Sequence, residues 1–137
     1  MGILAGASGR TYTTLPIDGI RGVPQSFPVI FANRNYLFRL YVNIPADRVT
    51  DKTQILDLPI GKVKRDPLSF DAFLVVGVDL DLSDGSRQAI FLRKVVPGLE
   101  YEAGSIVIFF PQQRVAIQNL NGQGEFGSQI TGGIAPR

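Results

Sequence analysis

YLFRLYVNI, residues 36–44, alternates along its length: Tyr36, Phe38, Leu40, Val42 and Ile44 fall on one side, Leu37, Arg39, Tyr41 and Asn43 on the other. Successive strand side chains point to opposite faces of a sheet, so an all-apolar row set against a mixed row predicts a strand with one buried face. Upstream, Phe27 to Ala32 is a short apolar run, and Asn33-Arg34-Asn35 reads as the turn that makes the two a hairpin. Downstream, Phe73 to Leu82 (FLVVGVDLDL) and Arg87 to Val96 repeat the arrangement around Ser83-Asp84-Gly85-Ser86 and end at Pro97-Gly98. Ser105–Phe110 (SIVIFF) and Arg114–Leu120 add further strands across Pro111-Gln112-Gln113. No amphipathic helical period persists beyond two turns. Turn-punctuated strands of this kind predict an all-β fold, a small antiparallel barrel or sandwich of about six to eight strands.

Around that core the remaining segments are less regular. Residues 1–14 (MGILAGASGRTYTT) are small and Gly-rich, and read as an N-terminal arm ordered by a neighbour. LPIDGIRGVPQ (15–25) is dense in turn signals, at Pro16, Asp18-Gly19, Gly22 and Pro24. Residues 45–67 hold a polar loop, the short apolar run Ile55 to Ile60 and the basic cluster Lys62, Lys64 and Arg65; a loop of this length marks an interaction surface. The expected division is an arm over 1–14, a β-domain over 15–127 and a Gly-rich tail over 128–137.

Composition narrows the chemistry. The 137 residues are 45% apolar and 19% charged, enough to bury a core without staples. With no cysteine, disulfides, thiolate metal sites and thiol nucleophiles are excluded. With no histidine, the commonest general base and transition-metal ligand are missing too. No enzyme, cofactor or metal is therefore expected. A net charge of +2 is too small to mark a nucleic-acid binder, and the apolar start lacks the basic flank of a signal peptide. The bias of ten Arg to four Lys suits planar contacts at protein interfaces.

The motifs that resemble sites fail on spacing. Asp79-x-Asp81-x-Ser83-Asp84-Gly85 begins like a calcium loop, but loop position six is Asp84 and position twelve is Ile90, where Gly and Glu are required. A solvated hairpin tip is the better reading. Glu100 and Glu102 share one strand face without a convincing set of sugar-stacking rings around them. Neither Gly6-Ala7-Ser8-Gly9 nor Gly122-x-Gly124 is expected both to follow a strand and to open a helix, and no Gly-Lys-Ser/Thr occurs, so flexible backbone is the better reading. Lys62, Lys64, Arg65, Arg93 and Lys94 would serve a nucleic acid only if they shared a face; a solvated surface or the rim of a protein interface is expected instead. Phe109 and Phe110 are adjacent and must point to opposite faces of their strand. Either both faces are covered or one ring awaits a partner. Those two, with Leu37 and Tyr41 and the cluster Lys62, Lys64 and Arg65, are the candidate protein-interface residues.

Three segments together resemble the small baseplate plug family of contractile-tailed phages, of the cyanophage myovirus type. The first is 15–43, with Asp18-Gly19, Gln25-Ser26-Phe27, the polar turn Asn33-Arg34-Asn35, and the strand Tyr36 to Asn43. The second is 73–98, a strand, an Asp-Gly turn, and a strand closing in Val-Pro-Gly. The third is GEFGSQITGG (124–133). The stretch from Ile44 to Asp71 is longer than the pattern, and Phe73 stands where it has Trp. The resemblance implies a structural virion protein of the tail baseplate, assembled in the host cytoplasm. Its partners would be hub, spike and wedge proteins and the tail tube end, met by several symmetric copies with no membrane or nucleic-acid contact. The alternative is a carbohydrate- or host-surface-binding β-domain of a phage tail; a nucleic-acid-binding barrel ranks below it and an enzyme last.

Overall fold

The computed structural model describes residues 2–6, 8–49, 51, 53–61, 70–117 and 128–137. Among them are eleven strands: β1 (Ile3–Ala5), β2 (Thr11–Thr14), β3 (Gln25–Phe31), β4 (Arg34–Asn43), β5 (Ile55–Asp57), β6 (Ile60–Gly61), β7 (Phe70–Asp81), β8 (Arg87–Val95), β9 (Glu100–Ala103), β10 (Ile106–Ala116) and β11 (Gln129–Pro136). The fold is the expected antiparallel all-β sandwich. Short strands such as β1, β5, β6 and β9, whose periodicity is too brief to read, raise the number above the six to eight anticipated.

One sheet has five strands, with β4 between β3 and β7, β8 pairing β7 over residues 74–81 and β6 pairing its first residues. The stretch 36–44 behaves as its alternation requires. Tyr36, Phe38 and Leu40 are buried, facing Val78 and Val76 across the sandwich side of β7, while Leu37, Arg39 and Tyr41 lie on the outer face. The β3–β4 connection is tighter than expected: Phe31 pairs with Arg34, leaving only Ala32 and Asn33, both with positive φ, as a two-residue turn.

The other sheet has six strands in the order β1-β2-β11-β10, with β9 and β5 end to end along the edge of β10. Ile106, Ile108 and Phe110 of β10, Tyr101 of β9, and Ile130 and Ile134 of β11 pack against the first sheet in one apolar core. Phe91 and Tyr101 meet edge to face across the gap, with centroids 5.8 Å apart. The two runs expected on either side of Pro111 are one strand, β10, kinked by a register shift between Phe109 and Gln112.

Both ends are corrected. Residues 128–137 are not a tail: β11 lies between β2 and β10, and Ile134 and Ala135 are buried. Its glycines supply close approach, not looseness. A Cβ at Gly132 would sit 2.6 Å from Phe110 Cε1, and one at Gly133 would sit 2.5 Å from Tyr12 Cβ. Residues 1–14 are not a free arm either. β1 and β2 form a hairpin whose Thr13 and Thr14 pair with Ile134 and Gly133, and Tyr12 closes a second small core with Val107, Phe109 and Ala135.

Candidate protein-docking face

The outer face of the five-stranded sheet leaves several apolar side chains uncovered on one surface; Ile3 and Ile55 of the other sheet, and Ile20 and Leu99 in connections, are exposed singly. Its rows follow from the register: Pro28 beside Leu37; Ser26, Arg39, Gly77 and Leu92; then Tyr41, Val75 and Lys94. Ile30 is 78% exposed, Leu92 63% and Tyr41 40%, with Leu37 half-buried among them. Isolated exposed apolar residues are ordinary, but several on one flat face mark a contact surface.

A charged pair crosses this face. Arg39 Nη2 donates to Asp79 Oδ1 at 3.0 Å, and the guanidinium lies flat over Gly77 beside Leu92. Gly77 is what permits that: a Cβ there would stand 3.3 Å from Arg39 Nη2 and 3.4 Å from Leu92 Cδ1. Lys94 extends the same face, its Nζ 4.1 Å from the centre of the Phe73 ring.

Beside the pair is an open notch of about 280 Å³, lined by Arg21, Pro24, Gln25, Ser26, Arg39 and Tyr41. The backbone that carries Arg21 is fixed from three directions. Asp18 Oδ1 accepts the N–H groups of Ile20 (3.0 Å) and Arg21 (3.2 Å), an Asx-type turn. The buried Gln25 side chain closes the loop, donating from Nε2 to the carbonyls of Asp18 (2.8 Å) and Gly22 (2.6 Å) and accepting from the Asp18 N–H (3.1 Å). Gly19 meets Ser128 at the head of β11, its carbonyl accepting the Ser128 N–H at 2.8 Å.

The expected interface residues divide. Leu37 and Tyr41 lie together on this face. Phe109 and Phe110 do not: they belong to the other sheet, and both faces of their strand are covered. Phe110 is in the main core, and Phe109 is under Tyr12, 5.4 Å between centroids and only 5% exposed. The chain's own hairpin is the cover that an outside partner was expected to provide. Lys62, Lys64 and Arg65 lie outside the described residues. Arg93 and Lys94, neighbours on β8, turn to opposite faces: Arg93 stacks over Tyr101 at 5.4 Å, away from Lys94. The five cations singled out from the sequence therefore do not all share one face.

The carboxylates tested as sites have structural partners. Asp81 pairs with Arg87 at 3.0 Å, Asp84 accepts from Ser86, and Glu102 pairs with Arg137 at 2.9 Å. Glu100 accepts from the Tyr12 hydroxyl and from the Ser8 hydroxyl at 2.8 Å, clasping the N-terminal hairpin to β9. Those bonds, Tyr12's first, hold its pKa below the usual carboxylate value, while burial and the same bond push the Tyr12 phenol well above its own. Among the described residues no group of three potential metal ligands occurs, and no helix is long and apolar enough to cross a membrane.

Arg21, Ile30 and Leu92 were not singled out by the sequence. Arg39 was visible only as the polar member of the mixed row of β4. What assembles these residues is the register among four strands, which no local pattern encodes. No family model, curated protein or solved structure matches the chain.

Proposed function

We propose that this chain is a structural component of a contractile phage tail baseplate, a plug packed near the central hub and spike that joins them to surrounding proteins. The location comes from the sequence resemblance over 15–43, 73–98 and 124–133. The mode of action comes from the fold: a rigid sandwich docks a neighbour on the outer face of its five-stranded sheet. The observation that carries this reading is the exposure of Ile30, Leu92 and Tyr41 around the Arg39–Asp79 pair. Such a mixture, with apolar anchors and an arginine at the centre, is the composition of a protein interface. Copies arranged about the tail axis would each present the same face.

The test is co-expression with the hub protein encoded by the same phage. Wild-type chain is expected to co-purify with it, and Ile30→Asp combined with Leu92→Ser to lose it. Both side chains are exposed, so the variant's own unfolding free energy should change by no more than about 0.5 kcal/mol per site. Full retention of the complex by the double variant would sink the docking face. Detection of the chain throughout infected cells but not in purified tails would sink the baseplate location.

A further inference from the structure

We infer that the notch between Arg21 and Arg39 accepts a carboxylate side chain of the docked partner; this rests on reading the outer sheet face as the docking face. The notch has more cation than it neutralises. Among the described residues Arg21 donates from Nη1 to the Ser26 carbonyl, at a long 3.4 Å, and forms no ion pair. Arg39 gives one Nη2 N–H to Asp79; its Nε is buried out of a partner's reach, so its remaining Nη N–H groups are what it can offer. A guanidinium offers five donors in a fixed fork, so both arginines retain N–H groups for a planar anion.

The site is also pre-organised. Asp18 and Gln25 fix the turn beneath Arg21, and Asp79 and the bare backbone of Gly77 fix Arg39. Ordering costs are therefore met in folding instead of on binding. About 280 Å³ between them admits a carboxylate and its short stem, with Tyr41 as one wall.

Charge also selects the partner. A second copy laid face to face brings no spare carboxylate to the notch, because the carboxylates of this face are already paired, Asp79 with Arg39 and Asp81 with Arg87. Nucleic acid would need a run of cations, whereas the other residues lining this notch are Pro24, Gln25, Ser26 and Tyr41. The fitting occupant is a different protein whose contacting segment alternates acidic and apolar residues.

The probe is a blocked pentapeptide alternating leucine with glutamate, compared with its glutamine counterpart, titrated into isotopically labelled full-length protein and followed by NMR. The glutamate peptide is expected to shift the amides of Arg21, Ser26, Arg39 and Tyr41, and to weaken as salt rises from about 0.05 to about 0.5 M. The glutamine peptide and the Arg21→Gln variant should each bind about tenfold less tightly. Arg39→Lys, which keeps the charge beside Asp79 but loses the fork, should also weaken binding while the spectrum stays folded. Equal binding of both peptides, shifts elsewhere on the molecule, or wild-type affinity in Arg21→Gln would overturn the inference. The two readings fail separately. If the docking variant loses the hub complex while Arg21→Gln changes neither complex nor peptide binding, the carboxylate notch is wrong and the docking face stands. If the glutamate peptide needs Arg21 but the docking variant keeps its complex, the face is wrong and the notch stands.

Discussion

Glu100 makes the N-terminal hairpin sensitive to pH from one position. Its carboxylate accepts from Tyr12 and Ser8, and its pKa falls on folding. A group of this kind contributes stability above its unfolded pKa of about 4.3 and loses it as the pH falls through the lower folded value. Tyr12 acts at the other end. Its phenol is harder to ionise in the folded chain, so stability declines as the pH rises past about 10. Melting curves between pH 7 and 3 should therefore fall more steeply for the wild type than for Glu100→Gln, which should itself cost about 1 kcal/mol at neutral pH. Parallel curves would mean the clasp contributes nothing. The two phenylalanines beside it test another point. Phe109→Ala and Phe110→Ala should each cost about 3 kcal/mol or more in denaturant titrations, since both rings are buried. A Phe109→Ala cost within about 0.5 kcal/mol would mark that ring as surface. That they oppose each other was legible in the sequence. What covers each was not, because Tyr12, which covers Phe109, and the strands that bury Phe110 lie far from them in the chain.

At the scale of elements, the β1–β2 hairpin is the part most changed from expectation. Its Gly-rich composition resembled an arm, yet Thr13 and Thr14 extend the sheet beside β11 and Tyr12 seals Phe109. Deleting residues 1–14 should lower the unfolding free energy by on the order of 3 kcal/mol and raise binding of an apolar dye, as Val107 and Phe109 meet water. An unchanged melt would restore the arm. The long hairpins β3–β4 and β7–β8 were legible because period-two alternation marks β4 and turn signals separate apolar runs in both, although a bulge at Val78/Asp79 interrupts the β7–β8 ladder. β5, β6 and β9 were not, since two to four residues cannot establish a period. β3 is also guarded against unwanted pairing along its open edge: Pro28 lacks an N–H, and Arg21 caps the Ser26 carbonyl.

For the molecule as a whole, the division of labour between sheets sets what each surface can do. The six-stranded sheet covers its outer apolar patch with the chain's own hairpin, whereas the five-stranded sheet leaves Ile30, Leu92 and Tyr41 bare. The all-β class and one buried face per hairpin were readable from alternation alone. The docking face was half readable, through Leu37 and Tyr41. Its notch was not, because Arg21 reaches it from a turn held by Gln25, a contact that no period reports. The position of β11 carries a further consequence, for synthesis. The strand that joins β2 to β10 emerges from the ribosome after every strand it pairs with. While translation proceeds, β3, β4, β7 and β8 can form their sheet in order, but the other sheet waits in two unjoined pieces. Nascent chains stalled before Ser128 should thus protect β4 and β7 from proteolysis yet leave β2 and β10 open, and adding residues 128–137 should close the sandwich in one cooperative step. Until β11 is in place, the six-stranded sheet cannot close and the sandwich core stays open on that side.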